Sequence, residues 1–299
     1  MKKKQLHKQN RLVTMLLLVM AILMPYGGAW AQTQPSEGDG SSEHPFLINT
    51  AEELKWYASY VNGESGDNVV HNTACAQLVK DIDLSTVCGE DKGNWTPIAK
   101  YGVYKSGGKN FDGVFDGNGH TISNLYINDK NGSNFGLFGY IYPTIQKTSV
   151  KNLKMRNVQI VGDEYCAAVS GSGCDVTFEN IEVISGSIAG NDYIFGISGC
   201  SGNARNCINR ANVTASNSNV AGIIFHIEVY KKVSNCSNYG KITTGIGRAG
   251  GIATSCDGYT KLTDCANYGD IYVTETVDSS KRLRIYTLPF IVKVLTFAP

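Results

Sequence analysis

The sequence predicts an all-β chain built as a solenoid of stacked parallel strands, capped at its N-terminal end by a helix. Three observations predict this. An Asn or Asp recurs between apolar residues at Asn124, Asn152, Asn180, Asn206, Asn235 and Asp264, at intervals of 28, 28, 26, 29 and 29. A fixed period of that length marks one supersecondary unit per repeat. Two positions before each stands an apolar residue (Ile122, Val150, Phe178, Ala204, Val233, Leu262), and directly after it comes Leu125, Leu153, Ile181, Cys207, Cys236 or Cys265. A second column keeps the same period: Gly136-Leu137-Phe138-Gly139, Ala168-Val169-Ser170-Gly171 and Gly196-Ile197-Ser198-Gly199, then Gly222-Ile223-Ile224 and Gly251-Ile252-Ala253.

The chain begins with an address. Lys2, Lys3, Lys4, Lys8 and Arg11 precede a short apolar run from Met15 to Met24, and Ala29-Trp30-Ala31 fits a small-x-small cleavage site. Residues 1–31 therefore read as a signal peptide, removed on export. The apolar run is too short for the roughly 20 residues of a membrane span, and no transmembrane span is expected in the mature chain. Residues 32–44, QTQPSEGDGSSE and the following His, read as a flexible leader.

Residues 45–110 form the expected cap and first strands. Thr50-Ala-Glu-Glu53 has the capping-box pattern, starting a helix to about Val61 with Leu54, Tyr57, Ala58 and Val61 on one face. Gln77 to Leu84 reads as a strand. The helix is expected to cover the exposed end of the first coil.

Residues 111–274 hold the repeats. In Thr121 to Ile127 strict alternation would turn Leu125 outward; a left-handed turn at Asn124 repairs the phase, and Asn is the non-glycine residue best suited to it. Stacked turns would then line up their amides as a structural ladder. No Asn-Gly hairpin joins consecutive repeats and none carries a crossover helix, so the strands should be parallel. Residues 275–299 break the pattern in an apolar, β-prone tail, readable as a capping strand or as a truncated end.

Across 299 residues, 27 basic and 26 acidic side chains give a net charge of +1, which points to no nucleic-acid partner. Nine cysteines leave at least one unpaired in a monomer. Cys207, Cys236 and Cys265 share one register, close enough for a bridge, yet neighbouring rungs place Leu and Ile there, which favours core thiols. Nothing suggests a metal or cofactor.

Catalysis is tested by carboxylates. Glycoside hydrolysis needs two of them flanking one groove; the acids of the repeats are expected to share no column on neighbouring rungs, Glu182 aligning with Lys154 and Ile208. Asp112, Asp116 and His120 near the first rung come nearest to a polar cluster, though Asp-Gly-Asn-Gly is ordinary turn chemistry. Asp81 and Asp83 should face solvent. Binding has a better residue set. Arg210, Tyr239 and Tyr268 follow the core Cys column by three positions and should project outward as a flat strip that could receive sugar faces, with Tyr165 and Tyr193 a second aligned pair; aromatic ladders that simply stabilise the stacked coils are the favoured reading of both sets.

These columns resemble bacterial GLUG-motif repeats, whose signature stands here as Gly136-Leu137-Phe138-Gly139. FDGVFDGNGHTISNL, NWTPIA (94–99), NCSNYGKI and DCANYGDI are similar to that family too, over roughly residues 45 to 274. The resemblance implies a right-handed parallel β-helix of the pectin-lyase-like kind in a secreted or surface protein. The resulting expectation is an exported, non-enzymatic, adhesin-like binding or spacer module contacting host or dietary glycans or a surface protein. A β-helix polysaccharide lyase or glycoside hydrolase is the alternative, and a structural remnant of a larger surface protein the third.

Overall fold

The computed structural model describes residues 33–100, 110–144 and 147–274, together with the backbone of 284–286 and 294–296. The expected signal peptide lies outside the described residues. The chain forms a parallel β-helix of about seven turns, and the one α-helix among the described residues lies near the N-terminal end. Every pairing between named strands is parallel, and the strands fall into two sheets.

The helix α1 spans Ala51–Val61, as its pattern predicts. Thr50 Oγ1 accepts from the Glu53 N–H at 3.1 Å while Glu53 Oε2 accepts from the Thr50 N–H at 3.2 Å, so two of the orphan donors at the helix start are satisfied. Leu54, Tyr57, Ala58 and Val61 are buried in one continuous core with Phe115 of the first coil. Tyr57 donates its hydroxyl to the Ala74 carbonyl at 2.7 Å. The segment expected to be a loose leader is instead tied to this end. The Leu47 N–H donates to the Glu37 carbonyl and the Cys75 N–H to the Gly40 carbonyl, and Pro35 and Gly40 are buried. The expected strand at 77–84 is broken into Ala76–Leu78 and Ile82–Asp83, and the second piece ends where Asp83 caps a single 3-10 turn at Leu84–Thr86 through the Ser85 N–H.

Inside the stack, equivalent side chains sit one above another. Val150 pairs in register with Phe178, Phe178 with Ala204, Ala204 with Val233 and Val233 with Leu262. In the second sheet Ile127, Ile160, Ile188, Val213, Ile242 and Ile271 form a buried aliphatic column. Coils about 4.8 Å apart let each such side chain cover the next.

All six predicted corner residues adopt the left-handed conformation, with φ from 52° to 61°. The amide ladder runs from Asn152 through Asn180 and Asn206 to Asn235, each Nδ2 donating to the coil before at 2.7, 2.9 and 3.2 Å. It starts on a carboxylate, since Asn152 donates to Asp116 Oδ1 at 3.0 Å. One expectation is overturned. Asn124 does not belong to this column: Ile122 pairs with Met155, not Val150, and Asn157 Nδ2 donates to Asn124 Oδ1 at 2.6 Å. The Gly117–His120 loop inserts two extra residues between the strands Val114–Asp116 and Thr121–Ser123, which pair with the two ends of Ser149–Arg156. Asn124 therefore joins a second corner column with Asp83 and Asn157.

The Gly136-to-Gly251 column holds its predicted register throughout. In the tail, the backbone of Arg284–Tyr286 and Val294–Thr296 adds strands alongside Arg248–Gly250 and Ile271–Val273.

Candidate functional site

The outward column predicted from the triplet Asn-Arg-Ala and its two Asn-Tyr-Gly successors is formed. Backbone donation from Arg210 to Val183, Tyr239 to Asn209 and Tyr268 to Asn238 fixes the three on successive coils. The Arg210 guanidinium carbon lies 4.4 Å from the Tyr239 ring centroid, and Arg210 Nε lies 3.3 Å from Glu182 Oε1. Tyr239 and Tyr268 stack with centroids 4.7 Å apart and planes 16° from parallel. That geometry corrects the expected flat strip. Near-parallel rings this close must overlap face to face, so Tyr239 has one face against Arg210 and the other against Tyr268. Tyr239 therefore offers solvent its edge and hydroxyl, not its faces, while Tyr268 has one face on Tyr239 and is 54% exposed. Beside it runs a shallow groove lined by Asn152, Lys154, Asn180, Glu182, Asn206 and Ile208.

Tyr165 and Tyr193 stack more closely still, with centroids 4.5 Å apart and planes 9° from parallel, and Phe225 meets Tyr193 edge-on at 5.4 Å. Both tyrosines are half-buried, and burial raises the Tyr165 phenol above its ordinary value. The residues just before them overturn a second expectation. Glu164 and Asp192 are register partners on adjacent coils, so one carboxylate pair does share a column. The 28-residue offset that aligns the tyrosines aligns these acids too. Desolvation raises the Asp192 carboxyl, while Asn219 Nδ2 and the Tyr193 N–H, both at 2.9 Å, oppose the shift.

The three polar residues of the first rung are not brought together. Asp112 is fully buried and accepts from the Thr144 N–H at 2.9 Å, Thr144 Oγ1 at 2.6 Å and Thr148 Oγ1 at 2.8 Å. Asp116 holds the Asn118 N–H and Asn152 and faces Lys151 at 3.3 Å. His120 lies 3.3 Å from Asp81. Asp81 and Asp83 are exposed as expected, with their carboxyls lowered chiefly by hydrogen bonds from the Thr121 N–H and from Asn124 respectively.

All nine cysteines are free thiols. Cys207 and Cys236 are fully buried, and the Cys236 N–H lies 3.4 Å from Cys265 Sγ. Burial pushes the Cys166 and Cys200 thiols up to about 12. Among the described residues no group of three His, Cys, Asp or Glu side chains is placed to hold a metal, and no helix is long and apolar enough to cross a membrane.

Two features escaped the sequence reading. Asn209, Asn238 and Asn267 form a second ladder inside the core, with Nδ2 to Oδ1 distances of 2.8 and 2.7 Å. Tyr230 and Tyr259 are highly exposed and stacked. Both sets recur at 29 residues, the signal that would have found them.

No protein-family model matches the chain. It is 31% identical over 156 residues to a provisionally named Gly-rich membrane protein of Evansella cellulosilytica, covering 52% of this chain and 14% of that one. It is 29% identical over 169 residues to halomucin of Haloquadratum walsbyi, covering 56% of this chain and 2% of halomucin. The matched stretch is thus a small fraction of either relative. A crystal structure of a provisionally assigned immunoglobulin A1 protease from Bacteroides ovatus has the same fold, with a TM-score of 0.58 and 17% identity over 79% of this chain and 69% of that one.

Proposed function

We propose that the chain is a non-enzymatic β-helix module of an exported or cell-surface protein, an adhesin-like binding or spacer element. The observation that carries this reading is the use of polar side chains along the stack. Asn ladders, the Glu182–Arg210 contact and the Glu179–Arg205 ion pair all join one coil to the next, so polar chemistry is spent on rigidity. About seven coils rising about 4.8 Å each make a rod roughly 30 Å long. The names of the two relatives, a Gly-rich membrane protein and halomucin, support a surface setting, as does the signal-peptide pattern of residues 1–31. The columns shared with GLUG-motif repeats support the same setting. Glycans are the ligand class proposed.

One observation favours the hydrolase alternative. Glu164 and Asp192 on adjacent coils, with the Asp192 carboxyl raised by burial, have the arrangement from which a retaining glycosidase could be built. A panel of host and dietary polysaccharides separates the readings. Retention, or inertness, without new reducing or unsaturated ends is the expected result. Product released by the wild type and lost in Glu164→Gln and Asp192→Asn would replace the module reading with the enzyme.

A further inference from the structure

Two loops on neighbouring coils close on tyrosines that nothing in the fold accounts for. Tyr230 follows the strand Ile224–Ile227 and Tyr259 follows Ala253–Cys256, which pair in register. They are the most exposed large apolar side chains described, at 81% and 83%. Both backbones are left-handed, with φ of 64° and 62°, a conformation that bulky side chains avoid and Asn tolerates. Most other left-handed non-glycine positions described carry Asn, with Asp at 175 and 264 and Ala at 99. Tyr165 and Tyr193 share the same conformation, but their rings are half-buried and Phe225 packs on one of them, so packing offsets the strain. At Tyr230 and Tyr259 the rings stand in water and burial offsets little. Strain that the fold does not repay points to function.

The rings also differ from the Tyr239–Tyr268 stack. Their centroids are 6.0 Å apart with planes at 23°, a looser, stepped arrangement that leaves ring face uncovered. Val229, 40% exposed, is the apolar neighbour in the same loop. This apolar area is far smaller than the roughly 800 Å² per partner of a stable protein interface. Polar groups stand on the segments that lead into the two tyrosines. His226 contacts Ser255 at 2.8 Å and Asp257 at 3.2 Å, and Ser201 donates to Glu228 at 2.7 Å. Lys231 is held by Asp175, while Lys232 and Lys261, exposed register partners on the two coils, follow the tyrosines by two residues. Small amphipathic faces, rigid at low entropy cost and flanked by hydrogen-bonding groups, suit a ligand with an apolar C–H face and a hydroxyl edge. The coil spacing is also close to the length of one pyranose residue.

We infer that Tyr230 and Tyr259 form a glycan-binding site, taking successive sugar residues of a polysaccharide along the solenoid axis. The inference rests on the reading of the chain as an outward-facing contact module.

The test uses residues 32–299 in affinity electrophoresis against xylan, mannan and a β-glucan, with a single-stranded oligonucleotide as a further arm. Tyr230→Asn/Tyr259→Asn removes both rings and supplies the residue the turns prefer, so folding is preserved. The expected result is wild-type retention on at least one glycan and a loss of roughly tenfold or more in affinity for this variant. Its melting temperature should be unchanged or higher, and Tyr239→Ala/Tyr268→Ala should stay near wild-type affinity. Equal retention of the Asn variant overturns the site while leaving the module reading intact. Retention of the wild type on no glycan overturns the ligand class and leaves the spacer reading. A clear drop in melting temperature in the Asn variant would show that the tyrosines serve the fold. Tighter binding of the oligonucleotide, lost in the same variant, would reassign the rings to base stacking.

Discussion

Replacing Asn238 by Ala tests the internal polar ladder. Asn238 is fully buried. Its Nδ2 donates to Asn267 Oδ1 at 2.7 Å and to the Gly240 carbonyl at 2.9 Å, and its Oδ1 accepts from Asn209 Nδ2 at 2.8 Å. The substitution leaves three buried groups short of a partner. At about 1 kcal/mol each they set a floor of about 3 kcal/mol, and lost packing of the amide adds about 1 more. For a chain of this size that lowers the melting temperature by roughly 6 to 16 °C. The control is Asn180→Gly on the outer ladder. Asn180 is exposed, its φ of 54° suits Gly, and its two ladder bonds exchange with water, so the cost should stay below about 1 kcal/mol. Urea and thermal unfolding followed by circular dichroism near 218 nm measures both (about the wavelength expected of β-structure). Equal costs for the two substitutions would refute the view that burial, and not the ladder itself, carries the energy.

Other substitutions probe different parts of the stack. Gly240→Ala places a Cβ 1.8 Å from the Ala211 carbonyl oxygen and should cost about 3 kcal/mol by forcing two coils apart; a near-neutral melting curve would contradict that contact. The Asp83 carboxyl is lowered by its bond from Asn124. Its stabilising share is therefore present above the ordinary carboxylate pKa of about 4 and lost as pH falls through the lower folded value. Asp83→Asn should flatten the acid limb of a stability-versus-pH curve, and an unchanged limb would exclude this contribution. Native thiol labelling should show one fast site at the exposed Cys256 and nine thiols after unfolding without reductant; fewer than nine would mean that disulfides form.

Much of the fold was legible because the solenoid is nearly one-dimensional. A left-handed corner favours Asn, an inward position needs an apolar residue, and a fixed period repeats both, so Asn180, Ile181 and Phe178 could be placed without any long-range information. The first coil was misread at Asn124 because a two-residue insertion at Gly117–His120 shifts the pairing without disturbing the local pattern. Asp112, read as part of a polar cluster near the first rung, is a buried acceptor from Thr144 and Thr148, 32 and 36 residues away, contacts that the local pattern does not encode.

The amino-acid sequence by itself determined the period, the corner residues, the capping helix and the inward columns, all of which follow from local conformational preference and alternation. Only the tertiary structure decided which faces of those columns meet solvent. Ring orientation in the Tyr239 stack, the exposure of Tyr230 and Tyr259, and the pairing of Glu164 with Asp192 depend on how one coil lies on the next. That relation is set by interstrand hydrogen bonds between residues 25 to 30 apart in the chain, and local sequence preference does not encode it.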